Sequence, residues 1–355
     1  MTKKIVCCLL AVALLGSLAS CGAGKPKLYV FNFGDYMARG QDKGIQNVNK
    51  IFEERYGVKI KYAEYANNEN MYSKVKKGGA YYDVVFPSDY MIERMITEDM
   101  LAPLNFDNIP NYKYIDAQYK NLDFDPDNAY SVPYFAGIIG LIYNKTMVKA
   151  APDSWAALWD EDYKGKICMI NNPRDAFGIA QSLLGQDCNS QDSTNWEAAA
   201  QKLLEQKPLV QSYVDDEVYS KMEPGEAALA PYYVGDYLLM IEANPNLEFV
   251  YPKEGVNFFV DSICVLKSSQ SKDLAEQYIN FLMEPEIALE NAEYIRYASP
   301  HMEVINNKDY TYYKNKLLYP TADIMPQTTI FRNLPPDILD LMNRRWDDVK
   351  SQSKK

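Results

Sequence analysis

From Lys27 onward, short apolar runs alternate with stretches whose apolar residues recur at helical spacing, and this alternation restricts the fold more than any other feature. KLYVFNF reads as a strand; VNKIFEERYG sets Val48, Ile51 and Phe52 on one helical face, with Gly57 as a C-terminal stop. VKIKYAEY is a strand again, Asn68 is placed as the cap of ENMYSKVKKG, and YYDVVF is a third strand. After the break at Pro87-Ser88, a helix from Asp89 carries Met91, Ile92, Met95 and Ile96. Strand and helix in regular turn imply right-handed crossovers between parallel strands, hence an α/β lobe. Ligands of such sheets bind beyond the carboxyl ends of the strands, and both NFGDY (residues 32–36) and PSDY (87–90) lie there, after a strand and before a helix.

A second series begins at IIGLIYN (residues 138–144). It predicts a helix near SWAALW, a strand at KICMI, a loop at NNPRD, a helix at AFGIAQSLLG, a strand at AALAPYY, a helix at VGDYLLMIEA and a strand at LEFVYP. NFFVDSICVL then reads as a strand returning to the first lobe. Helices near LAEQYINFLM and IALENAEYI follow, and a final amphipathic helix over residues 335–350 carries Ile338, Leu341, Met342 and Trp346. With 355 residues, 47% of them apolar, the chain is long enough for two lobes with cores of their own.

The front end is a separate object. Lys3 and Lys4 precede an apolar run over residues 5–18, too short to span a bilayer comfortably, and small residues follow, so residues 1–20 read as an export signal. Leu18-Ala19-Ser20-Cys21 resembles the lipobox of bacterial lipoproteins at all four positions. That resemblance implies acylation of Cys21 and a lipidated tether over residues 21–26. Loss of Lys3 and Lys4 with the signal takes the formal charge from −11 to −13. So acidic a chain disfavours nucleic acid and anionic membrane surfaces as partners and favours cations.

Most enzymatic chemistries find no support. The one histidine, His301, stands in a loop-like segment without a GxSxG elbow, and there is no GxGxxG or Walker loop. DFDPDN starts like a calcium loop, but its sixth position is Asn128 rather than Gly and its twelfth Tyr134 rather than Glu, so it reads as a turn. Cys168, Cys188 and Cys264 are an odd number without CxxC spacing; Cys168 and Cys264, in strand-like runs, are expected to act as small buried hydrophobes. No catalytic residue, cofactor or metal site is therefore expected. An extracytoplasmic enzyme or a structural lipoprotein stands only as an alternative.

What remains is a set of acids beside aromatic rings. The chain has 29 tyrosines, and several aromatics adjoin carboxylates at strand ends: Asp35-Tyr36, Tyr233-Val234-Gly235-Asp236, and Phe258-Phe259-Val260-Asp261. Taken singly, an acid after a strand is often a helix cap and a tyrosine is often packing. Together they suit an amine, whose buried ammonium groups need charge-assisted hydrogen bonds from carboxylates and whose methylenes need flat apolar walls.

At NFGDY the sequence resembles the substrate-binding proteins of spermidine/putrescine ABC importers, where the strand ends in Asn-Trp-x-acid-Tyr and Phe33 here replaces Trp. YDVVFPSDY, AYSVPYFAGIIGLIYN (129–144, with Ala136 at a common Trp), SWAALWDEDYKGK (154–166), YPKEG, FFVDS and LYP extend the likeness over nearly all of the mature chain. The resemblance implies a two-lobed, hinge-linked α/β fold of the periplasmic-binding-protein type, each lobe a mostly parallel sheet flanked by helices. Residues 27–136 with 260–305 would form the first lobe and 137–259 with 306–355 the second. Carried over position by position, the ligand cage falls on Phe33, Asp35, Tyr36, Ser88, Tyr90, Asp175, Tyr233, Asp236, Phe259, Asp261 and Tyr297. Asp261 would take the central ammonium, Asp35 and Asp236 one terminal amine, and Asp175 the other. Phe33, Tyr233 and Phe259 stand where indoles are usual, Asn172 stands where the spermidine-type pattern has an acid, and Arg332 in TTIFRN would be an awkward neighbour for an amine. The implied protein is a monomeric, lipid-anchored receptor of the periplasm or cell surface that hands a polyamine to an ABC permease. A receptor of the same fold for a sugar, an amino acid or thiamine is the nearer alternative.

Overall fold

The computed structural model describes residues 25–321 and 327–351; the signal and Cys21 lie outside them. Ten strands are present among the described residues: β1 (Lys27–Phe33), β2 (Lys59–Tyr65), β3 (Val84–Val85), β4 (Ser131–Asn144), β5 (Ile167–Ile170), β6 (Val210–Val214), β7 (Leu229–Tyr233), β8 (Leu247–Val250), β9 (Val256–Val265) and β10 (Thr328–Thr329). The helices used below are α1 (Val48–Tyr56), α2 (Asn68–Lys77), α3 (Asp89–Thr97), α4 (Pro173–Leu183), α5 (Ser193–Gln206), α6 (Glu217–Met222) and α7 (Val234–Ala243).

The strand order is β2-β1-β3-β9-β4-β7-β5-β6, with β8 on β4 and β10 on β9. β2, β1 and β3 run parallel to one another, as do β7, β5 and β6. Between these groups β4 and β9 run antiparallel and join them. β4 is the long member: all 14 of its residues are buried. Its first half pairs with β9, from Ser131↔Cys264 to Ile138↔Phe258, and its second half pairs with β7 and β8. The register shifts between Pro133 and Phe135, where a residue without an N–H is tolerated.

Side chains pack into two separate cores. The first gathers Leu28, Phe31, Phe52, Phe86, Met91, Tyr278 and Phe281; the second gathers Ile142, Trp155, Phe177, Trp196, Met240 and Trp346. The C-terminal helix, Pro336–Ser351, lies on the second through Ile338, Met342 and Val349. Tyr310 and Leu318, placed with the second lobe by the sequence reading, pack in the first core.

Several local expectations change. Asn67, not Asn68, caps α2, its side chain accepting from Asn70 N at 3.0 Å, and Asn68 is buried. SWAALW is a 3-10 turn capped by Ser154. NNPRD is no loop: Asn172 caps α4, Pro173 opens it, and Asp175 stands in its first turn. α5, β6 and α6 have no counterpart in the sequence reading. Asp125 of DFDPDN closes a turn by accepting from Ala129 N, Tyr130 N and Ser131 Oγ at 2.7–3.0 Å. His301 is buried with Nε2 3.1 Å from the Met283 carbonyl. Cys168 and Cys264 are buried in β5 and β9.

Candidate functional site

NFGDY turns the chain off the end of β1. Asp35 adopts a left-handed conformation (φ 49°), which a short polar side chain tolerates, and this leaves Asp35 exposed while Tyr36 turns inward. The Tyr36 hydroxyl donates to Asp261 Oδ2 at 2.7 Å, and Ser88 Oγ donates to Asp261 Oδ1 at 2.5 Å. Asn68 Nδ2 in turn donates to Ser88 Oγ at 2.9 Å, so one carboxylate of β9 is held by the tips of β1 and β3. Asp261 is only 4% exposed. Burial pushes its carboxyl up to about 6, against the hydrogen bonds from Ser88 and Tyr36.

Two further carboxylates come from helix N-termini. Asp175 lies in the first turn of α4 and Asp236 in the first turn of α7, where the helix dipole favours negative charge. Tyr233 donates its hydroxyl to Asp175 Oδ2 at 2.6 Å; Tyr219 and Tyr297 donate theirs to the two oxygens of Asp236. Burial raises both carboxyls to about 6, again opposed by the tyrosine hydrogen bonds. Asp175 is buried and Asp236 half-buried, and a cation would relieve the desolvation cost of either anion.

Rings separate these acids. Tyr233 and Phe259 meet edge-on at 5.3 Å, Phe259 and Tyr297 lie 6.1 Å apart, and Tyr297 meets Tyr36 edge-on at 5.6 Å. Two glycines make room for them: a Cβ on Gly137 would overlap the Phe259 ring, and one on Gly235 the Tyr297 ring.

All eleven residues carried over from the sequence, Phe33, Asp35, Tyr36, Ser88, Tyr90, Asp175, Tyr233, Asp236, Phe259, Asp261 and Tyr297, line one cleft of about 420 Å³. Its walls hold eight aspartates and a single arginine, Arg296, which lies 3.4 Å from Glu242. Tyr90 donates to Glu69 at 2.8 Å, and Asp35 accepts from Tyr294 at 3.2 Å. The four tryptophans line no part of the cleft. Phe331 of TTIFRN supplies a wall, backed by the Arg174 guanidinium 3.9 Å from its ring. Arg332 turns away and pairs with Glu93 at 2.7 Å and Asp123 at 3.3 Å, so it is no neighbour of a ligand. The sequence reading missed Asp215, Asp216, Tyr219, Tyr232, Asn257 and Tyr294 in this lining. Asp215-Asp216 follows β6 as the other acids follow their strands, a signal that was readable once that strand was recognised.

The model of a family described as bacterial extracellular solute-binding proteins matches residues 48–318. The spermidine/putrescine-binding periplasmic protein of Salmonella typhimurium is 32% identical over 311 residues, 87% of each chain. A solved structure from Listeria monocytogenes, assigned to a spermidine/putrescine ABC transporter, superimposes with a TM-score of 0.86 at 33% identity, over 92% of this chain and 99% of that one. A lipoprotein of Treponema pallidum does so with a TM-score of 0.78 at 25% identity, over 91% and 99%. The α/β architecture is that of these structures, and the chain belongs to the family of bacterial extracellular solute-binding proteins.

Proposed function

We propose that the protein is a receptor that captures a polyamine outside the cytoplasm and delivers it to an ABC permease, with no catalytic step of its own. The observation that carries this reading is a set of three carboxylates, Asp175 and Asp261 buried and Asp236 half-buried. They come from α4, α7 and β9, each is held by a tyrosine hydroxyl, and they line one aromatic cleft. A sugar or zwitterionic amino acid would leave most of that charge unneutralised, whereas a flexible multiply charged amine matches it. The names of the relatives above point to the same ligand class.

In this reading the lobes are residues 27–136 with 260–305 and residues 137–259 with 306–355, save that the stretch carrying Tyr310 and Leu318 goes with the first, and they close by hinge motion because each contributes carboxylates to the same ligand. Asp261 takes the central ammonium, Asp236 with Asp35 one end and Asp175 the other. Phe33, Tyr36, Ser88, Tyr90, Tyr233, Phe259 and Tyr297 wall the methylenes and orient the acids. Cys21 carries the lipid that keeps a monomeric receptor beside its permease at the cell surface or in the periplasm. Among the described residues no helix is long and apolar enough to cross a membrane.

A calorimetric titration with 1,4-diaminobutane, spermidine, a neutral hexose and a neutral amino acid tests the reading. Micromolar or tighter binding of an amine with none of the others supports it; tight binding of the hexose or amino acid with no amine response refutes it.

A further inference from the structure

Charge is unevenly spread over the elements of the first core. β1 and β2 run parallel with Lys27 beside Lys59 and Tyr29 beside Lys61, so Lys25, Lys27, Lys59 and Lys61 gather in the half of these strands remote from the cleft. α2 returns to the same end and closes with Lys76 and Lys77 in its last turn. The acids of β2 and α2 stand at the opposite end, Glu64 next to the last residue of the strand and Glu69 in the first turn of the helix. All six lysines are exposed. Lys59 is paired with Glu53 at 2.9 Å and Lys76 with Glu98 at 2.8 Å, whereas Lys25, Lys27, Lys61 and Lys77 form no ion pair with any described residue.

The chain enters the fold at that same end. Cys21 lies four residues before Lys25, and four residues reach at most about 14 Å. A lipid on Cys21 therefore keeps the lysine-bearing end of β1 close to the bilayer surface, on the scale of a Debye length of about 8 Å at physiological salt. The formal charge of −11 opposes an anionic surface at longer range, but at this distance the local charge decides. Each lysine near anionic lipid strengthens association about fivefold. The turn between α2 and β3 adds a ring: Gly78, Gly79 and Ala80 are exposed, and Tyr81 beyond them is 37% exposed. Its hydroxyl is fixed, donating to Asp83 and accepting from Gln270 N, both at 2.6 Å, which leaves the ring presented among the lysines. Tyrosine favours the headgroup level of membranes.

We propose that Lys25, Lys27, Lys61 and Lys77, with Tyr81, form a contact surface for anionic phospholipid headgroups, so that protein as well as acyl chains holds the receptor to the membrane. This rests on the acylation of Cys21 in the reading above. NFGDY and PSDY stand at the other ends of the same strands, so the contact turns the cleft away from the bilayer, the orientation of capture rather than of delivery.

The test reconstitutes the acylated protein into vesicles of phosphatidylethanolamine with phosphatidylglycerol, or of phosphatidylcholine alone, and follows acetylation of each lysine by mass spectrometry. Lys25, Lys27, Lys61 and Lys77 are expected to react about threefold or more slowly on the anionic vesicles, as a contact of this strength implies. Lys164 and Lys253, exposed lysines beside the second core, should change less than about twofold. At about 1 M salt, where the Debye length is about 3 Å, the difference should vanish. In the double variant Lys61→Gln/Lys77→Gln, whose changes lie outside the tether, the slowing at Lys25 and Lys27 should fall by about half or more. Equal reactivity of the four lysines on both vesicles, equal slowing of Lys164 and Lys253, or the same slowing by inorganic phosphate on phosphatidylcholine overturns the surface while leaving the lipid anchor intact. An unacylated Cys21 in the mature protein, seen by its mass, overturns the anchor and the surface together.

Discussion

Tyr36, in the turn after the first strand, donates its hydroxyl to Asp261, 225 residues further along the chain, at 2.7 Å. That bond explains why a buried strand ends in an acid and a phenol: the turn sends Asp35 to the rim and Tyr36 inward, onto the central carboxylate of the cleft. Replacing Asp261 by Asn keeps the volume and removes the charge. A buried ammonium that loses its carboxylate costs about 3–5 kcal/mol, so polyamine affinity should fall by roughly two to three and a half decades. Calorimetry on Asp261→Asn checks this, and an unchanged dissociation constant removes Asp261 from the binding set.

Gly235 should be as intolerant as any charged residue. A Cβ there overlaps the Tyr297 ring, which donates to the adjacent Asp236. Gly235→Ala is expected to displace the ring, release Asp236 from that hydrogen bond and weaken amine binding more than tenfold, as expected for one lost charge-assisted contact. Tyr297→Phe, which keeps the ring and loses only the hydroxyl, should cost less. The two dissociation constants decide the order.

Binding should release protons near pH 6. Burial raises Asp175, Asp236 and Asp261 to about 6 in the free protein, and a bound ammonium favours their ionised forms. Affinity therefore rises from pH 5 to pH 7, and heats of binding at pH 6 should depend on the ionisation enthalpy of the buffer. The same carboxyls act oppositely on the free fold. Between the ordinary carboxyl range and about 6 the native state holds more protons than the unfolded chain, so their contribution to stability declines as pH rises through that window. The rise in Tm caused by ligand should accordingly be larger at pH 7 than at pH 5.

Outside the cleft, Arg332 ties α3 to the segment that follows α4. Its backbone N–H donates to Asn189 Oδ1 at 2.9 Å, and its guanidinium pairs with Glu93 of α3 and with Asp123. The side chain is 38% exposed, so the pair is worth at most about 1 kcal/mol. Arg332→Gln should weaken ligand binding up to about fivefold, chiefly through faster dissociation, because it favours the open form without touching the ligand. Stopped-flow release rates test this; an effect on association alone would contradict a closing role.

The alternation of strands and helices was legible because apolar periodicity survives wherever an element is buried on one face. The acids Asp35, Asp236 and Asp261 stood out because a carboxylate beside aromatic rings at a strand end serves neither a core nor an ordinary surface. β6 was not legible: VQSYV has polar Gln211 and Ser212 in its middle, and with the strand the acids at its tip, Asp215 and Asp216, were lost too. The roles of Gly137 and Gly235 were equally hidden, because they depend on rings supplied by Phe259 and Tyr297 far along the chain. Arg332 looked like an intruder because nothing local reveals that Glu93 and Asp123 draw it away.

The most direct test is a crystal structure of the protein with spermidine. Nitrogen atoms within about 3.2 Å of Asp175, Asp236 and Asp261, with methylenes against Phe259 and Tyr297, are the expected result. Spermidine ordered elsewhere, or an amine in the cleft that makes no contact with these three carboxylates, would contradict it.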